Sequence, residues 1–319
     1  MYAPKRNGLK SEFANRGNGM LCLSFVALFL LVHSALGSEC HCADTGICVL
    51  PAGECNSIGR PVVTPMADVV GRKHRVIRQD AWYGGRRTVF NFEGYEAWVV
   101  EPPEGVAAAD GKPWTWTMQW KTAFVPRTGV PDLLKRGWHH VTIDTFRCRM
   151  NEEGLRVSAA FQKYLVEDLS LAPKANLVGL SWGGFFSTRY AARYPNNVAK
   201  IFLDCPLLNL GGRFGRAAGE EEIGSWAREN CDCWTDDPRM PINLAKRIAD
   251  AKIPILLRYG GADNVLEPAL NSEIFIPRFK AVGGDIRVIF QPAYGHHPHG
   301  FEIDETTIPD FFMGRSANQ

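Results

Sequence analysis

From residue 85 onward, short apolar runs alternate with segments in which apolar residues recur at three- and four-residue spacing, the pattern of strands alternating with helices. Arg87 to Phe92 and Glu96 to Glu101 read as two antiparallel strands with Gly94 in the turn between them. Trp114 to Trp120 is a third strand, aromatic and β-rich, and Asp132 to Gly137 a helix that stops on glycine. His140 to Asp144 follows as a strand, and Glu152 to Asp168 as a long amphipathic helix whose Leu155, Val157, Ala160, Phe161, Tyr164 and Leu165 supply one face. Asn176 to Leu180 is a short apolar run suited to a buried parallel strand, and Trp182 to Tyr194 a helix ended by Pro195. Val198 to Asp204, Pro254 to Tyr259 and Asp285 to Phe290 are three more strands. Strands separated by helices in this way predict an α/β architecture, a doubly wound, mostly parallel sheet with right-handed crossovers. In such a sheet the reactive groups belong at the carboxyl ends of the strands.

Candidate chemistry stands at three of those ends. Gly179-Leu180-Ser181-Trp182-Gly183 joins the apolar strand to the helix, a G-x-S-x-G elbow in its expected strand–turn–helix context. Asp263 follows its strand through Gly260-Gly261-Ala262, and His296 follows the last strand through Pro292-Ala293-Tyr294-Gly295. The order Ser, Asp, His is the one an α/β-hydrolase requires. A serine hydroxyl is a weak nucleophile, so His296 would take its proton and Asp263 would orient and stabilise the imidazole. The backbone N–H of Trp182 would meet the oxyanion, with a second donor after the Trp114–Trp120 strand, near Met118 or Gln119. Competing readings stand beside each role. Asp263 could cap a helix starting near Glu267, Asp204 is the rival acid, and His297 is the rival base. Trp182, Phe185 and Phe186 either line an acyl pocket or belong to the core. Residues 206 to 250 are longer than a simple crossover and read as a small cap or lid, or else as a solvated excursion.

Residues 1–37 break the pattern. Lys5, Arg6, Lys10 and Arg16 precede an apolar run from Leu21 to Val32 and then Ser34-Ala35-Leu36-Gly37, which reads as a signal peptide cleaved before Ser38, with an uncleaved anchor as the alternative. The leader carries four of the 36 basic residues and one of the 34 acidic ones. Without it the chain is close to neutral, so its basicity implies no nucleic-acid surface. Residues 38–84 form a Cys-containing N-terminal segment with Cys40, Cys42, Cys48 and Cys55, and residues 85–319 the catalytic domain with Cys148, Cys205, Cys231 and Cys233. Eight cysteines in an exported chain predict disulfide bonds, the last four as local clamps. Cys40-His41-Cys42 lacks the spacing of common structural zinc sites, and the His296, His297, His299 cluster has no nearby carboxylates in sequence, so neither metal nor other cofactor is expected.

Over roughly residues 85 to 315 the chain resembles the α/β-hydrolase superfamily. Pro113-Trp114-Thr115-Trp116, Leu171-Ala172-Pro173-Lys174, the elbow with Gly184, and the Gly-His-His-Pro-His run at 295–299 are similar to exported bacterial esterases and prolyl-oligopeptidase-like hydrolases. That resemblance implies a secreted or periplasmic serine esterase working through an acyl-enzyme on small-molecule or carbohydrate-linked esters, with no stable membrane partner after cleavage of the leader. A serine peptidase of the prolyl-oligopeptidase type and a non-catalytic binding protein are the alternatives.

Overall fold

In a computed structural model, residues 65–210, 229–233 and 236–315 are described. The leader, Cys40, Cys42, Cys48, Cys55 and most of the expected cap, including Gly211-Gly212, Glu220-Glu221-Glu222, Trp226 and Trp234, lie outside them. Helix α1 (Met66–Lys73) leads into strands β1 (Val76–Trp82), β2 (Gly85–Phe92), β3 (Tyr95–Pro103) and β4 (Trp114–Gln119). Then come α2 (Val130–Lys135), β5 (His139–Ile143), α3 (Glu152–Glu167), β6 (Ala175–Leu180), α4 (Trp182–Arg193) and β7 (Val198–Asp204). The described part ends with α5 (Ala245–Asp250), β8 (Ile255–Gly260), α6 (Ser272–Ala281), β9 (Ile286–Gln291) and α7 (Thr307–Met313).

One nine-stranded sheet runs in the order β1-β2-β3-β5-β4-β6-β7-β8-β9. Strands β1, β2, β3 and β5 pair antiparallel in turn, and β5 through β9 are parallel to one another. The sheet therefore starts at Val76, ahead of the expected domain boundary at 85. Tyr83 (φ 49°) and Gly84 (φ 83°) form the tight turn from β1 into β2, both in the left-handed region that such hairpin loops require.

Helices cover both faces, which is why the central strands are buried along most of their length. Along β6 the side chains alternate in destination. Ala175 and Leu177 join a core with Phe161 of α3, Phe185 and Tyr190 of α4 and Phe275 of α6, while Val178 and Leu180 join a second core with Leu133 of α2 and Phe312 of α7. Truncating one of the fully buried aromatics to alanine would cost about 3–5 kcal/mol. Asn151 caps α3, its side chain accepting from the Gly154 N–H at 3.1 Å.

The expected clamps are absent: Cys148, Cys205, Cys231 and Cys233 are free thiols. Cys148 and Cys205 follow different strands and meet Tyr95 Oη (3.1 Å) and the Gly295 carbonyl (3.8 Å). Even the neighbouring Cys231 and Cys233 sulfurs stand 3.9 Å apart, well beyond a bond of about 2.05 Å. Among the described residues no helix is long and apolar enough to cross a membrane.

Candidate active site

Ser181 sits between β6 and α4 with φ 50° and ψ −116°. A non-glycine residue there carries strain of about 1–3 kcal/mol, tolerated only where the surroundings hold it. Three backbone bonds do so: Ser181 N–H donates to the Asp204 carbonyl (3.0 Å), and the Ser181 carbonyl accepts from Gly184 (2.8 Å) and Leu207 (2.8 Å). The elbow's glycines are there for clearance. A Cβ on Gly179 would lie 2.7 Å from the Gly183 carbonyl oxygen, and one on Gly183 would lie 2.2 Å from that of Gln119. Although Ser181 occupies the N-cap position of α4, its hydroxyl makes no capping bond.

That hydroxyl is bonded to His296 instead. Ser181 Oγ lies 3.0 Å from His296 Nε2, and His296 Nδ1 lies 2.8 Å from Asp263 Oδ2. With Nδ1–H donated to the carboxylate, Nε2 turns its lone pair toward the serine. The other Asp263 oxygen accepts backbone N–H groups from Val265 (2.9 Å) and Leu266 (2.8 Å). Asp263 therefore orients His296 with one oxygen and ties down its own loop with the other; it does not cap the short helical turn at Pro268–Leu270, which starts beyond both amides. Burial works against its charge, but the His296 bond and those two amides hold its carboxyl below the usual carboxylate range. All three side chains are buried, Ser181 being 8% exposed.

The rivals are engaged elsewhere. Asp204 is fully buried and binds both Arg258 and the Gly300 N–H. His297 is exposed, its ring stacked on Phe124 at 5.4 Å. His296, His297 and His299 bring nitrogens within 4.8 Å of one another, yet both nitrogens of His296 are committed to Ser181 and Asp263, so a metal there would compete with those bonds.

Of the oxyanion candidates, Trp182 opens α4, placing the positive end of the helix beside the serine. A register shift in the β4–β6 pairing between Thr117 and Gln119 brings the Gln119 backbone against Gly183, whereas the Met118 side chain turns into the core. The side chains of Trp182, Phe185 and Phe186 are core residues. Trp182 is 5% exposed and lies edge-on to Phe146 (5.5 Å) and Phe185 (5.7 Å), and the two phenylalanines are fully buried.

Two nearby residues escaped the sequence reading. The Cys205 thiol lies within 4.8 Å of the Asp263 and His296 ligand atoms, and burial raises its pKa, so it packs there as a neutral group. Arg258 occupies the middle of β8 and is 1% exposed. A charge in an otherwise apolar strand was its available signal, because a buried charge needs a partner.

The family model described as alpha/beta hydrolase fold matches residues 125–220, a stretch that includes the elbow. That match and the nine-stranded, mostly parallel sheet give the chain the α/β-hydrolase fold. Among solved structures, the S-formylglutathione hydrolase of Agrobacterium tumefaciens is 17% identical, with a TM-score of 0.52 over 70% of this chain and 92% of that one. A puromycin-hydrolyzing peptidase of Mycobacterium tuberculosis is also 17% identical, with a TM-score of 0.55 over 75% of this chain and 41% of the peptidase. Porphyromonas gingivalis dipeptidyl peptidase 4 is 13% identical, with a TM-score of 0.52 over 76% and 36% respectively. At these identities the likeness is one of α/β-hydrolase fold, and the chain spans less than half of either peptidase. No curated protein matches the sequence.

Proposed function

We propose that this α/β-hydrolase is a secreted or periplasmic serine esterase that cleaves soluble carboxylic esters, small or carbohydrate-linked, through an acyl-enzyme. The observation that carries the reading is the continuous chain of short bonds from Ser181 through His296 to Asp263. Ser181 Oγ attacks the ester carbonyl while His296 Nε2 takes the hydroxyl proton, and the carboxylate of Asp263 stabilises the imidazolium. The tetrahedral oxyanion is met by the Trp182 N–H and a second donor at the end of β4, near Met118 or Gln119. Its collapse expels the alkoxide, which leaves as the alcohol with the proton from His296. Water, activated by the same imidazole, then attacks the acyl carbonyl and returns Ser181. This chemistry uses no metal or cofactor.

Short p-nitrophenyl esters and a fluorophosphonate probe test the reading together. Wild-type protein turns over the esters and is labelled at Ser181, and Ser181→Ala loses both, with turnover down by at least about 1,000-fold. Full ester turnover by Ser181→Ala overturns it. Labelling with amide but no ester cleavage identifies the peptidase instead, and a folded protein that takes no label is a binding protein.

A further inference from the structure

The His296 loop is held by an ion pair whose side chains bond to neither Ser181 nor His296. Arg258 Nη1 donates to both carboxylate oxygens of Asp204, at 3.0 and 3.1 Å, and both residues are buried. What remains of their bonding capacity is aimed at one segment. Arg258 Nε donates to Gln291 Oε1 (2.6 Å), and Nη1 reaches the Pro298 carbonyl at 3.4 Å. Asp204 accepts the Gly300 N–H, and the Arg258 guanidinium lies over the Tyr294 ring at 4.9 Å. These contacts fall at residues 291, 294, 298 and 300, on both sides of His296. From the opposite flank Arg127 adds two more, its Nε donating to the His299 carbonyl (3.1 Å) and its own carbonyl accepting the Phe301 N–H (2.9 Å).

Stability alone gives little reason for such a pair, since well-packed apolar residues commonly replace buried ion pairs without loss. An apolar pair, however, would leave the Gly300 amide and the Gln291 side chain without these partners, and the loop free to shift. Asp204 also lies below the usual carboxylate range despite full burial, through His299, Arg258 and the Gly300 amide, and so keeps the charge that binds them. His296 must meet Ser181 and Asp263 at once, and a misplacement of about 1 Å in such a relay costs on the order of 100-fold in rate.

We propose that Asp204 and Arg258 are positioning residues that clamp the 291–301 loop, so that His296 reaches the nucleophile and the carboxylate together. The proposal rests on the serine-hydrolase reading.

Asp204→Asn/Arg258→Gln removes both charges and so leaves neither unpaired, while Gln291→Leu keeps the ion pair intact and cuts one tie to the loop. Each variant is followed by Tm, by KM and kcat on a short p-nitrophenyl ester, and by the rate of fluorophosphonate labelling at Ser181. The double variant is expected to keep a Tm near wild type while kcat and the labelling rate fall about 10- to 100-fold at an almost unchanged KM. Gln291→Leu is expected to lose several-fold in kcat with the same split. Should the double variant fail to fold, Gln291→Leu decides alone. Wild-type kcat and labelling in Gln291→Leu and in any folded double variant overturn the clamp, as does a kcat loss that only follows the loss of Tm. Wild-type protein that takes no label at Ser181 refutes the hydrolase reading instead, so the two failures are distinguishable.

Discussion

Ser181, Asp263 and His296 were legible one by one because each follows its own strand, and the topology of a doubly wound sheet sends strand ends to one edge. Their partners were not. Asp204 and Asp263 both stand after strands, and only the 2.8 Å bond to His296 selects Asp263. The same holds for His296 over His297, adjacent in sequence, one buried against the serine and one exposed on Phe124. For Trp182 the sequence left pocket wall and core both open, and the structure decides for the core, into which a residue opening a buried helix turns its ring. Gly183 makes a sharp test at this scale, since an added Cβ would stand 2.2 Å from backbone that anchors β4. Gly183→Ala is expected to cost about 1–3 kcal/mol and to lower the proposed ester turnover with it, read by thermal unfolding and with a p-nitrophenyl ester. An unchanged Tm would show that β4 yields freely.

At the level of elements, strands β2 to β8 and helices α3 and α4 follow the hydrophobic pattern of the chain closely, because most of their side chains are buried, whereas the short helices α5 and α6 were not read from it. Strand β1 departs from that rule: Val76-Ile77-Arg78-Gln79-Asp80-Ala81-Trp82 is an edge strand with mostly exposed side chains, and its apolar residues stand in adjacent pairs at the two ends instead of alternating. Strand β5 carries a different consequence. Burial holds His139 at a pKa of about 4 and His140 at about 3, against about 6.5 in an unfolded chain. Between those values the unfolded chain binds more protons than the folded one. The stability contributed by these neutral histidines is therefore complete above about pH 6.5 and is lost as pH falls toward 3. Ionised Asp204 and Asp263, held below the usual carboxylate range, add to the loss at the acid end. Tm should drop steeply between pH 7 and pH 4, and His139→Leu should flatten that slope; an equal slope in the variant would count against the assignment.

For the whole molecule, the N-terminal part of the described chain belongs to the sheet. Val70 of α1 is fully buried in the larger core, and Trp82 of β1 stacks on His140 at 5.1 Å with an interplanar angle of 3°. Removing residues 1–84 is expected to leave an insoluble or broadly unfolding protein, whereas a soluble product with a sharp, wild-type-like melt would show that α1 and β1 are dispensable. The amino-acid sequence by itself determined the alternation of strand and helix, the elbow and the chain order of the three candidates Ser181, Asp263 and His296, because periodicity and turn chemistry are local properties. Tertiary structure alone decided which carboxylate meets which histidine, that the four described cysteines stay apart, and that Arg258 and Asp204, 54 residues apart along the chain, close on the loop carrying His296. Each of those depends on distances between strand ends, and such distances exist only once the sheet has formed.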